Sequence, residues 1–136
     1  MSIIVTDKGF GPDDWTGSYV SPTDIAANDA QVAIDLASDT DPATLDALTK
    51  APMIRIDFPS FADGRGFTLA SFLRRAGFHG RLRAKGHVLA DQYAMARRAG
   101  FDEVEIDEAL AERQPEAQWL FRADWHAHDY QSRIRG

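Results

Sequence analysis

The sequence contains no cysteine. That one absence excludes disulfides, thiolate metal sites, protein-ligated iron–sulfur clusters, redox thiols and cysteine nucleophiles. Positive charge is not in excess either. The chain has 15 Lys and Arg against 21 Asp and Glu, a formal net charge of −6. Binding to nucleic acid or to an anionic membrane through bulk charge is therefore not expected. No apolar run approaches the roughly 20 residues that cross a bilayer. Met1 to Asp7 shows neither the basic start nor the long apolar stretch of a signal peptide. These features predict a soluble, cytoplasmic protein. Repeats and low-complexity segments are also missing.

What remains is a chain of 136 residues, 44% hydrophobic and 26% charged, an ordinary globular composition for one domain. A chain of this size buries roughly 68–70% of its unfolded surface, enough for a core without staples. The reading is a single domain over 1–136, with an N-terminal arm (1–28), a β-α core (31–112) and a C-terminal helix and tail (115–136). In the arm, Ser2 to Val5 is a short apolar run. Gly9, Gly11 and Pro12 break the chain after it, and Ser21-Pro22-Thr23-Asp24 reads as a turn or brief helix start. One or two short strands are expected there.

From Gln31 the pattern becomes regular. Gln31–Leu36 reads as a strand, Asp41-Pro42 as a helix start, and Leu45 and Leu48 as one helix face. Met53–Phe58 reads as a second strand and Thr68–Ala76 as a helix. In that helix Leu69, Phe72 and Leu73 face inward, Arg74 and Arg75 face outward, and Gly77 is the stop. Arg81–Ala84 is a third strand, followed by a helix over Leu89–Ala99. Asp102–Ile106 is a fourth strand, with a helix starting at Asp107-Glu108 and broken near Pro115. The alternation predicts an α/β fold: four β-α units in a small parallel sheet, either an open three-layer sandwich or a half-barrel. Arg55, Arg83 and Glu105 are unusually polar for a buried parallel strand. They point to a partly exposed sheet covered on one side by the arm.

In parallel α/β folds, ligands sit beyond the C-terminal ends of the strands. That rule selects the segments after the second, third and fourth strands. The first contains Ser60, Asp63, Gly64, Arg65 and Gly66 and leads to Thr68 at a helix start; the second contains Lys85, Gly86 and His87. Two glycines beside an arginine at a helix N-terminus suit an anion pocket, with Lys85 as a second cation if the strands are neighbours. The alternative is a tight Asp-Gly turn with Arg65 paired to Asp63 or Asp57. Asp57 or Asp63, with His87, is the candidate acid/base pair of a small enzyme, and Asp91 a structural ion-pair partner for Lys85 or Arg83. Gly64-Arg65-Gly66 lacks the third glycine of a dinucleotide fingerprint. Asp124 and His128 share a helical face, but no third ligand stands at a recognised spacing, so no metal site is expected. Trp119, Leu120, Phe121 and Trp125 read as packing or as the interface of a homodimer.

One block carries a family pattern. Ile56-Asp57-Phe58-Pro59 with Phe61-Ala62-Asp63-Gly64-Arg65-Gly66-Phe67-Thr68 resembles the signature of an uncharacterised bacterial family, domain of unknown function 934. Leu73-Arg74-Arg75, Gly77-Phe78, Leu82-Arg83-Ala84, Asp91-Gln92 and Arg98-Ala99-Gly100-Phe101 resemble its later pattern. His87 stands where Asp is expected, and Ala99 where Cys is common. Members are typically encoded beside genes for assimilatory sulfite reduction and are described as probable oxidoreductases. The resemblance implies an accessory protein of that pathway, with a small anionic ligand and sulfite reductase components as partners. The alternative is a small cofactor-dependent oxidoreductase. No side chain here cycles an electron pair, so a redox role needs a bound flavin, nicotinamide or siroheme. Which cofactor, if any, the residues leave unknown.

Overall fold

The computed structural model describes residues 2–22 and 32–123. Asp124, His128 and Trp125, the Thr23-Asp24 turn and Gln31 lie outside them.

Among the described residues one seven-stranded sheet runs through the molecule, in the order β2-β1-β7-β6-β5-β4-β3. Its strands are β1 (Ser2–Thr6), β2 (Gly9–Pro12), β3 (Ser18–Val20), β4 (Val32–Leu36), β5 (Met53–Phe58), β6 (Arg81–Gly86) and β7 (Glu103–Asp107). From β3 to β7 every pairing is parallel; β1 joins β7 antiparallel, and β2 returns against β1. The sheet thus has more strands than the expected parallel core. The arm supplies three of them and extends the sheet at both ends.

Between the parallel strands lie a 3-10 segment (Pro42–Leu48), α1 (Arg65–Arg75), and α2 (Tyr93–Ala99) preceded by a 3-10 turn at Ala90–Gln92. After β7 come α3 (Glu108–Arg113) and α4 (Glu116–Arg122). Asp41 caps the first segment, accepting from the Ala43 N–H at 3.0 Å, with Pro42 next in line. Asp107 caps α3 by accepting from the Leu110 N–H at 2.8 Å. The expected helix after β4 is thus a 3-10 segment.

Alternation along each strand sorts side chains between two faces. Ile34, Leu36, Ile54, Ile56, Phe58, Leu82, Ala84, Val104 and Ile106 form one cluster with Leu45, Leu48, Leu69, Leu73, Tyr93, Ala96, Leu110 and Trp119. The described helices therefore share one face. Strands added one place at a time, through crossovers of one hand, give this result. Two layers are observed where a three-layer sandwich was one expectation.

The opposite face holds Arg55, Arg83 and Glu105, and these three are buried rather than exposed. Arg83 has no solvent exposure, and Arg55, Glu103 and Glu105 are buried. Arg83 donates to Glu103 at 2.6 Å and to Glu105 at 2.8 Å. Arg55 forks Asp35 at 2.6 and 2.7 Å and reaches Glu105 at 3.1 Å. Arg81 forks Glu103 at 2.7 and 2.9 Å. The arm then lies over these groups. Asp13 accepts from Arg83 at 3.1 Å, Asp14 from Arg81, and the Tyr19 ring stacks 3.6 Å from the Arg55 guanidinium. Paired, hydrogen-bonded charges can be buried where lone ones cannot.

Two further expectations change. Arg74 does not face outward but folds back to the carbonyl oxygens of Gly100, Phe78 and Gly80 at 2.9–3.1 Å. Asp91 pairs with Arg122 at 3.0 Å, not with Lys85 or Arg83.

Candidate functional site

The carboxyl ends of β4 to β7 meet the amino end of β1, because Ser2 pairs with Asp107. Along this edge lie Ser38, Asp57, Lys85, His87 and Asp107. The geometry sorts the sequence candidates into two groups.

The first group is built around Arg65. Its guanidinium forks Asp63 at 2.7 and 3.0 Å and donates to Ser38 Oγ at 3.0 Å. The same Asp63 carboxylate accepts from the Arg65 backbone N–H at 3.1 Å. These hydrogen bonds hold the Asp63 carboxyl well below the usual carboxylate range. The helix N-terminus and its arginine thus have an internal anion, which matches the tight-turn alternative. Gly66 is buried against β5. A methyl group there would meet the Phe58 ring at 2.5–3.0 Å, so this glycine admits the ring rather than a ligand. Gly64 is open, with only Phe67 within 4.0 Å. Ser60 accepts a turn hydrogen bond from the Asp63 N–H at 3.1 Å through its carbonyl oxygen. Thr68 lines a shallow hollow of about 290 Å³ with Arg65, Ser38 and Pro42.

The second group is built around Lys85. Asp57 and Lys85 are register partners on β5 and β6, so both side chains leave the same face, the one opposite the helices. Gly86 then takes φ +110°, where a side chain would also lie 2.8 Å from the Phe58 carbonyl oxygen. This turn carries His87 back over β5. Its backbone N–H donates to that oxygen at 2.9 Å, and Nδ1 lies 3.2 Å from it. A carbonyl only accepts, so Nδ1 is the donor in this contact. The Phe61 ring packs edge-on against the imidazole at 5.0 Å.

Lys85 stands between two hollows. One, of about 150 Å³, is lined by Lys85, Gly86, His87, Phe61, Arg113, Glu105 and Asp107 among others. The other, of about 260 Å³, is lined by Lys85, Asp57, Arg55, Asp35, Leu36 and Ala37. Arg65 lines neither. Among the hollows of the described residues, Arg65 and Lys85 therefore do not share one. In the smaller hollow the carboxylates are already used. Glu105 accepts from Arg55, Arg83 and the Ser2 hydroxyl, and Asp107 caps α3. Lys85 and Arg113 have no hydrogen-bond or ion-pair partner among the described residues. Sequence reasoning missed Arg113, whose only signal was its place in the helix after the fourth strand.

These hollows, of about 150, 260 and 290 Å³, lie at or below the lower end of the roughly 300–1,000 Å³ range of small-molecule pockets. Among the described residues no three His, Asp or Glu side chains are grouped to hold a metal ion, and no helix is long and apolar enough to cross a membrane.

The fold and edge together define a mixed α/β protein whose sheet is mostly parallel, with two cations at its carboxyl end that have no partner among the described residues. The family described as "Bacterial protein of unknown function (DUF934)" matches residues 33–136, and the chain belongs to it. No curated protein and no solved structure matches the chain.

Proposed function

We propose that this protein is a cytoplasmic accessory of assimilatory sulfite reduction, binding a small oxyanion at the carboxyl edge of its sheet. The pathway comes from the family resemblance, in which members are encoded beside sulfite-reduction genes. The binding chemistry comes from the side chains. One observation carries it: Lys85 and Arg113 face one hollow of about 150 Å³ with no partner among the described residues, while the carboxylates lining it are engaged.

An oxyanion in that hollow accepts from the ammonium and the guanidinium, which supply charge-assisted hydrogen bonds. His87 adds a donor when its second nitrogen is protonated. Arg65 is outside this set, because Asp63 holds it. The function is binding and delivery to a partner of the pathway, with no covalent step assigned to the chain.

Calorimetric titration of the purified protein with sulfite and sulfate tests the reading. Heat that is saturable in the native chain and lost in Lys85→Met supports it. No saturable heat with either anion overturns it.

A further inference from the structure

The larger hollow beside Lys85 has a different chemistry. On its rim Asp57 and Lys85 lie in register on adjacent strands, roots about 4.8 Å apart. Both are exposed. Neither has a hydrogen-bond or ion-pair partner among the described residues, and they do not reach each other within the 4.0 Å of an ion pair. The other charges lining the hollow are matched: Arg55 forks Asp35 at 2.6 and 2.7 Å. Leu36 and Ala37 supply the apolar part of the wall.

One free carboxylate and one free ammonium, side by side and unjoined, complement a ligand that carries both charges. From this we infer that the hollow of about 260 Å³ binds a small zwitterion, a free α-amino acid with a short side chain. Its ammonium donates to Asp57 and its carboxylate accepts from Lys85. The side chain lies toward Leu36 and Ala37. A plain oxyanion uses only half of this rim, because Asp57 repels it. The inference goes beyond the oxyanion reading: it shares Lys85 but uses the other hollow and a carboxylate that reading leaves idle.

The test compares L-alanine with lactate, which lacks the ammonium, and with alaninamide, which lacks the carboxylate. Binding to the native full chain is measured by calorimetry or ligand-observed NMR. L-Alanine binds, and each analogue binds more weakly by about tenfold or more, as loss of one charged hydrogen bond requires. In Asp57→Asn the preference for alanine over lactate disappears. Binding of lactate as tight as that of alanine, or no binding of alanine by the native chain, overturns the inference. Sulfite heat retained in the same sample would then leave the oxyanion reading standing.

Discussion

Arg83 on β6 and Glu103 on β7 are register partners joined at 2.6 Å, with the guanidinium wholly out of solvent. Around them, Arg55, Arg81, Asp35 and Glu105 extend the pairing across the strands. Truncating one member leaves a buried carboxylate without its counter-charge. Arg83→Met is expected to destabilise the fold by about 3–5 kcal/mol, read as a lower urea midpoint at unchanged slope. A cost near zero would mean that the face is wetter than described.

Gly66 and Gly64 stand two residues apart at the start of α1 but do different work. A methyl at position 66 collides with the Phe58 ring at 2.5 Å, whereas position 64 is open. Gly66→Ala is expected to cost about 1–3 kcal/mol, typical of overpacking. Gly64→Ala is expected to change stability little. Thermal unfolding of the two variants, side by side, separates a packing role from a ligand cradle. Equal effects would remove the distinction.

The arm's hold on the sheet is expected to depend on pH. Burial alone would raise the Asp13 carboxyl, but hydrogen bonds from Arg83 and from the Trp15 N–H, with the charges of Arg83 and Arg81, bring it below its usual value. The hydrogen bond from Arg81 lowers Asp14. A depressed carboxyl stabilises fully above its unfolded pKa, about 3.9, and loses that contribution as pH falls through the folded value. The arm is therefore expected to hold at neutral pH and loosen below about pH 4. Carboxyl NMR of Asp13 and Asp14 gives the midpoints, and amide exchange at Trp15 reports the release. Midpoints at or above the free value would contradict the pairing.

Much of the parallel core was legible because its signals are local. Alternation marked β5, Asp41-Pro42 marked a helical start, and Gly77 and Gly100 follow the ends of α1 and α2. Asp107 caps α3, as its place before Glu108 suggested. Strand order is not local, and neither is the partner of a strand charge. Arg55, Arg83 and Glu105 looked exposed because each, read alone, is too costly to bury; only the assembled sheet brings them together. Likewise β1 gives no sign that it pairs antiparallel with a strand about a hundred residues later. At the edge, Arg65 attracted attention as a cation between glycines, but Asp63 two residues earlier already fills that role. Lys85, read from the sequence as the second cation of a pocket shared with Arg65, instead lies beside Asp57 with two hollows at its sides, neither of them lined by Arg65.

Sulfite calorimetry on Lys85→Met and Arg65→Ala, beside the native chain, decides whether Lys85 is the anion-binding cation of this edge. Saturable heat is expected in the native chain, its loss in Lys85→Met, and native affinity in Arg65→Ala. Heat that survives in Lys85→Met, or that vanishes only in Arg65→Ala, would contradict that role.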